Sequence, residues 1–248
     1  MILLLDIGNT NTHVGLADGR RVLKQADIPT FAWIAGGGPG RLKNFAGNGK
    51  IEGAALCSVV PRVTPLVKKF VRAAWKLDAL ELNAATIRAV GIDYPKPNSI
   101  GPDRLVNAVA ARRRFGAPVV VVDFGTAVTF DVVDGRGNYV GGIIAPGLAV
   151  MTNYLHEKTA LLPKIQIRDI HTAIGKSTEE AMLVGAVHGY RGLVRELIGE
   201  LKRELRAPKL PVVATGGYAK LIAAKLPEIT AVAPDLTLEG LRLVWHAT

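Results

Sequence analysis

The feature that most constrains this chain is the stretch 119–147, VVVVDFGTAVTFDVVDGRGNYVGGIIAPG. Its consecutive valines suit a strand covered on both faces, and they run into Asp123, Gly125 and Thr126, where the chain must bend. Val128, Phe130 and Val132 then alternate with Thr129 and Asp131, the period of a second strand, and Asp134-Gly135 supplies a hairpin turn. The N-terminus repeats the arrangement. Leu3-Leu4-Leu5 leads into Asp6-Ile7-Gly8-Asn9-Thr10, Val14 and Leu16 follow, and Asp18-Gly19-Arg20 closes the hairpin at almost the same spacing from its acid. Half of the chain is thus written twice. The expectation is an α/β protein of two similar domains, 1–117 and 118–248.

An acid beside a turn of Gly, Thr and Asn has a chemistry. Backbone N–H groups in such a turn bind phosphate oxygens, and a carboxylate holds the Mg²⁺ that screens them. Two such turns facing one another across a cleft would hold phosphates and a metal ion. The pairing resembles the superfamily of sugar kinases, actin and heat-shock ATPases, whose duplicated ribonuclease-H-like domains clasp ATP. Other nucleotide motifs fail. A P-loop requires glycine where Ile170 precedes Gly175-Lys176-Ser177, and no Gly-x-Gly-x-x-Gly follows a predicted strand.

The chain of 248 residues is long enough for two modest domains, and 49% apolar with 21% charged residues is ordinary globular composition. No apolar run reaches spanning length, and MILLLDIGN reads as a strand rather than a leader, so a cytoplasmic protein without a membrane partner is expected. Cys57 is the single cysteine, in an apolar strand context, which excludes an internal disulfide and a cysteine metal cluster. The net charge of +10 favours anionic ligands. The basic residues are scattered, however, and Arg112-Arg113-Arg114 ends a predicted helix where cations complement the dipole, so no nucleic-acid partner is expected.

Residues 30–50 hold Gly36-Gly37-Gly38-Pro39-Gly40 and little periodicity, which predicts a loop with one short helix. Thr64-Pro65 opens a helix to about Lys76, with Thr64 as its N-cap. Tyr94 lies in an extended loop between Gly91 and Asn98, and Gly101-Pro102-Asp103-Arg104 precedes an alanine-rich helix that Asp103 is placed to cap. Ser177-Thr178-Glu179-Glu180 reads as a capping box at the head of a long helix to about Arg206. Gly185, Gly189, Gly192 and Gly199 fall near one face of it, which predicts close approach of another backbone, in the same subunit or across a two-fold axis.

Together these residues resemble the type III pantothenate kinases over nearly the whole chain. The matching motifs are DIGNTN from Asp6, SVVP from Ser58, GPDR from Gly101 and DFGTAVTFD from Asp123, followed by GGIIAPGL from Gly141, IGKST from Ile174, TGG from Thr215 and DLTLEGL from Asp235. The resemblance implies ATP-dependent phosphorylation of pantothenate, the first step of coenzyme A synthesis, by a cytoplasmic homodimer. It implies that Asp6, Ile7, Gly8, Asn9, Thr10, Asn11, Thr12 and His13 hold the ATP phosphates and their Mg²⁺, and that Thr126 contacts ATP. Asp103 would be the general base; Tyr94, Gly101, Pro102, Asp103, Arg104 and Thr178 would contact pantothenate; Asp123 would ligate a monovalent cation, K⁺ or NH₄⁺. Gly216 and Gly217 would approach the nucleotide. Pro102 replaces the family's usual alanine, removing one N–H donor. The competing readings are a kinase for another small alcohol and a non-enzymatic regulatory factor of the same fold.

Overall fold

The structure, a computed structural model, describes residues 1–247 and divides into two units. The first contains residues 1–116, 137–140 and the segment from Asp235; the second contains residues 117–136 and 141–234. The break after Gly116 falls beside the boundary read from sequence, but the C-terminal segment groups with the first unit rather than the second.

In the first unit, β1 (Ile2–Ile7), β2 (Asn11–Ala17) and β3 (Val22–Pro29) precede α1 (Phe31–Ile34) and α2 (Gly38–Ala46). Then come β4 (Gly53–Ser58), α3 (Thr64–Trp75), β5 (Leu80–Glu81), β6 (Gly91–Ile92) and α4 (Pro102–Phe115). The second unit opens with β7 (Val119–Phe124), β8 (Ala127–Val133), β9 (Asn138–Pro146), whose first residues count with the first unit, and α5 (Leu148–Lys158). It continues with α6 (Thr178–Val184), a π-helical turn (Gly185–Gly189), α7 (Tyr190–Glu204), β10 (Val212–Thr215), α8 (Ala219–Ala223) and β11 (Ala231–Val232). α9 (Leu236–Ala247) returns to the first unit.

The duplication is topological. One sheet has the order β3-β2-β1-β4-β5; the other has β9-β8-β7-β10-β11, with β6 added beside β9. In each, the first strand pairs antiparallel with the second and parallel with the fourth, and the fourth pairs parallel with the fifth. Asp6 lies opposite His13 and Cys57, and Asp123 lies at the matching place opposite Thr129 and Thr215. Two α/β units of ribonuclease-H-like topology therefore each place an acid near the end of a central strand. Every residue of β1 is buried, and so is every residue of β7 except Asp123, which is half-buried. That double coverage explains the unbroken Leu and Val runs.

Residues 30–50 contain two helices where one was expected. Trp33, Leu42 and Phe45 are buried against Leu3, Leu56 and Val67, so tertiary packing overrides a glycine-rich sequence. A Cβ on Gly38 would lie 2.6 Å from the Trp33 ring, which is why glycine occupies that helical position. α3 begins one residue earlier than the Thr64 cap implies, with Val63 at the N-cap.

The long helix after Ser177 is broken into α6 and α7 by the π-helical turn. A Cβ at Gly185, Gly189 or Gly192 would meet nothing within 4 Å, so among the described residues no other backbone packs closely beside these three glycines. The predicted close approach within the subunit is absent. Two of these glycines bound the π-helical turn instead, a local widening that departs from regular i→i−4 bonding.

α9 is tied to α4 by a hydrogen bond from Thr237 Oγ1 to Asn107 Oδ1 (2.8 Å) and by Gly240, whose missing side chain admits the Val106 carbonyl. Gly240→Ala drives a methyl into that backbone oxygen and is expected to lower unfolding stability by about 1–3 kcal/mol. Urea denaturation of the variant beside the parent checks this, and an unchanged midpoint would contradict the close packing.

Candidate active site

The turn between β1 and β2 is held from below. Gly8 N donates to Asn11 O (3.0 Å), Thr30 Oγ1 donates to Gly8 O (2.6 Å) and Thr30 N donates to Thr10 O (2.9 Å). Asn9 and Thr10 are exposed at its tip, while Gly8, Asn11 and His13 are half-buried. Ile7 and Thr12 are buried, with Thr12 Oγ1 at 3.1 Å from Thr30 Oγ1, so these positions offer a ligand only their backbone. His13 Nδ1 lies 2.6 Å from Asp27 Oδ1. Asp6 is buried beneath the turn and accepts a hydrogen bond from Cys57 Sγ (3.3 Å) on β4.

The Gly101–Arg104 motif starts α4. Gly101 is the N-cap and Pro102 stands in the first turn, where its missing N–H would have had no helical partner. The alanine-to-proline departure therefore fits the helix without loss. Asp103 is not the cap: it lies within the first turn, and its Oδ1 accepts from the N–H of Arg104 at 2.9 Å. The carboxylate folds so closely over Gly101 that a Cβ there would collide with Oδ1. Burial pushes the Asp103 carboxyl above the usual carboxylate range, outweighing the Arg104 N–H and guanidinium. The buried Cys57 thiol is pushed well up, first by desolvation and then by the charges of Asp6 and Asp103. Both acids thus act on the same end of the β1–β4 pair.

Tyr94, on the loop after β6, is exposed, with its ring centroid 6.3 Å from that of the buried Tyr139. The Arg104 guanidinium lies over the Tyr139 ring, 5.8 Å from its centroid. The first unit therefore links Tyr94 to Arg104 through Tyr139, and brings Asp6 and Asp103 to act on the one Cys57 thiol.

In the second unit Asp123 is half-buried, with Gly125 and Thr126 exposed beyond it. Gly216 has φ +88°, and a Cβ there would lie 2.5 Å from Asp123 Oδ1, so glycine is required by conformation and by space. Gly217 beside it is exposed. Gly147 N donates to Thr126 O at 3.1 Å, an approach that leaves no room for a side chain. Asp123 and the Gly216-Gly217 turn are thus neighbours, and Thr126 lies against Gly147. Thr178 is exposed at the first position of α6, behind its cap Ser177, whose Oγ accepts from Glu180 N at 3.2 Å. The Glu180 carboxylate accepts from Lys176 N rather than from the cap residue, a variant of the expected box.

Sequence reasoning missed Thr30, Tyr139 and Gly147, and read Cys57 only as an inert thiol. Gly147 carried a signal in its Pro146-Gly147 turn; a lone Thr at a strand end and a Tyr in an alternating strand carried none. Among the described residues no three His, Cys, Asp or Glu side chains come together as a metal cluster.

A protein-family model described as type III pantothenate kinase matches residues 2–200. The chain belongs to the type III pantothenate kinase family. A type III pantothenate kinase of Akkermansia muciniphila is 46% identical over 97% of this chain and 96% of its own length. One of Methylacidiphilum infernorum is 44% identical over 98% and 87%. A Campylobacter jejuni crystal structure named for the Baf family of transcriptional activators superposes with a TM-score of 0.62, covering 99% of this chain and 98% of its own. At 18% identity that likeness shows the fold alone.

For this member of the type III pantothenate kinase family the raised Asp103 pKa has a consequence for stability. Above the usual carboxylate range the unfolded chain ionises Asp103 more readily than the folded one, so ionisation there destabilises the fold; below that range the penalty vanishes. Asp103→Asn is expected to raise Tm at pH 7, to lose that advantage below about pH 4, and to lower kcat by roughly 10²–10⁴-fold. Melting curves at both pH values with matched turnover assays check it, and a lowered Tm at pH 7 would reject the desolvation account.

Proposed function

We propose that this chain transfers the γ-phosphoryl group of ATP to the primary hydroxyl of pantothenate, opening coenzyme A synthesis in the cytoplasm. The observation that carries the reading is Asp103, a desolvated carboxylate in the first turn of α4 with Arg104 beside it and Asp6 beyond Cys57. An alcohol is far too weak an acid to ionise in advance. Asp103 takes its proton as the new oxygen–phosphorus bond forms and the bond to the ADP oxygen breaks. Its raised pKa makes it a better proton acceptor than an ordinary aspartate. Arg104 pairs with the pantothenate carboxylate, and Tyr94, Gly101 and Pro102 complete the substrate contacts that the first unit supplies.

The turn from Asp6 to His13 cradles the ATP phosphates through its backbone. Mg²⁺ keeps several waters and binds through one or two carboxylates plus substrate phosphates. A single buried acid, Asp6, beneath a Gly-Asn-Thr turn exposed at Asn9 and Thr10 suits that mode of holding the ion. When bound, the ion supplies charge neutralisation at the phosphates. Asp123, a half-buried carboxylate beside the Gly216-Gly217 turn, is the oxygen donor that would hold a hard monovalent cation.

Purified protein with Mg²⁺ and ATP is expected to release ADP only when pantothenate is present, and faster in K⁺ or NH₄⁺ than in Na⁺ at matched ionic strength. Turnover equal in all three ions would remove the Asp123 assignment, and no turnover in folded protein would remove the substrate.

A homodimer is part of the same reading. Val150, Met151, Tyr154 and Leu155 leave an apolar face of α5 exposed, as a second copy would require. Light scattering at micromolar concentration is expected to give a dimer mass, and Tyr154→Glu a monomer; a monomeric parent protein would refute it.

A further inference from the structure

Tyr139 lies outside every motif and touches two of the groups assigned to pantothenate. It is fully buried on β9, and its ring is shared: Arg104 lies over it, and Tyr94 meets it at 6.3 Å and an interplanar angle of 65°. Its backbone holds the Tyr94 loop as well. β6 pairs in parallel with β9 in the register Gly91 to Asn138 and Ile92 to Tyr139, and Asp93 N donates to Tyr139 O at 2.9 Å. Tyr94 is therefore one residue beyond a main-chain anchor on Tyr139. Arg104, in the first turn of α4, has no sequence relation to that loop. Tyr139 connects them.

We propose that Tyr139 is the positioning residue of the pantothenate site: its ring presets the Arg104 guanidinium and the Tyr94 side chain in one arrangement before substrate arrives. The inference rests on the assignment of Arg104 to the substrate carboxylate. An arginine over an aromatic face is held by the ring quadrupole while its in-plane N–H donors stay directed outward. A carboxylate needs those donors in a fork. Removing the ring takes away this constraint on the Arg104 rotamer, and affinity for the carboxylate would fall accordingly. ATP contacts, which come from other turns, would be unaffected.

The experiment uses the full-length enzyme with Tyr139→Leu and, because a buried ring change can impair folding, a shape-preserving series. In that series Tyr139→Phe is the reference, and phenylalanines of increasing ring fluorination replace it by non-natural amino-acid incorporation. The expected result is a pantothenate KM that climbs with fluorination and rises roughly three- to thirtyfold in Tyr139→Leu, with the KM for ATP and kcat within about twofold of the parent. In an Arg104→Ala background the fluorination series, which acts through the cation, should move pantothenate KM by less than about twofold, and Tyr139→Leu should keep only the part of its effect that runs through Tyr94. A pantothenate KM that ignores fluorination overturns the proposal, as does an equal rise with Arg104 already removed or a matching rise in the KM for ATP. If Arg104→Ala alone leaves pantothenate KM unchanged, the carboxylate assignment fails, and the positioning role fails with it. That outcome differs from the case in which Arg104 matters and the ring does not.

Discussion

Burial of the first strand in each unit is the constraint on which the rest depends. A strand covered on both faces has no solvent-exposed side along which to place a polar group, so an acid is tolerated only near its end, where the sheet runs out. β1 and β7 both meet this condition, with Asp6 and Asp123 at matching positions in sheets of the same order. Each acid is followed by a small polar turn that the next antiparallel strand forces to be tight. The parallel neighbour then supplies the residue beside the acid, Cys57 in one unit and Thr215 in the other. A core requirement thereby places an acid beside a small polar turn in each unit.

Asp103 answers to a different condition. It is not at a strand end but in the first turn of α4, against the β1–β4 pair, and its carboxylate is desolvated more than its N–H and guanidinium neighbours can offset. Stability and proton-accepting power pull in opposite directions at this residue, because the burial that raises its affinity for a proton also penalises its charge. Gly101 and Pro102 make that placement possible, the first by leaving space for the carboxylate and the second by beginning the helix without a wasted donor. The motif is thus a packing solution as much as a chemical one.

Much of the candidate site was legible because its residues carry their own local reasons. Asp6 and Asp123 follow unbroken apolar runs, and the Gly8 and Gly125 turns follow them. Ser177 announces a helix start, and Gly101-Pro102 announces another. The misreadings have physical causes. Residues 30–50 looked like a loop because glycine and proline hide an amphipathic pattern that only Trp33, Leu42 and Phe45 complete, against strands distant in sequence. The glycines after α6 looked like a packing face, yet open space lies beside Gly185, Gly189 and Gly192, and a π-helical turn, not a neighbouring helix, accompanies them.

The amino-acid order alone determined the duplicated strand–acid–turn plan, the α/β class and the identity of the acids, since strand burial, turn chemistry and helix starts are properties of short segments. Tertiary structure decided which segments meet. It returned α9 to the first unit through Gly240 and Thr237, clamped the Gly8–Thr10 turn with Thr30, and set Tyr139 between Tyr94 and Arg104. It also raised the pKa of Asp103, because desolvation is a property of everything packed around a carboxyl group and of no residue next to it in the chain.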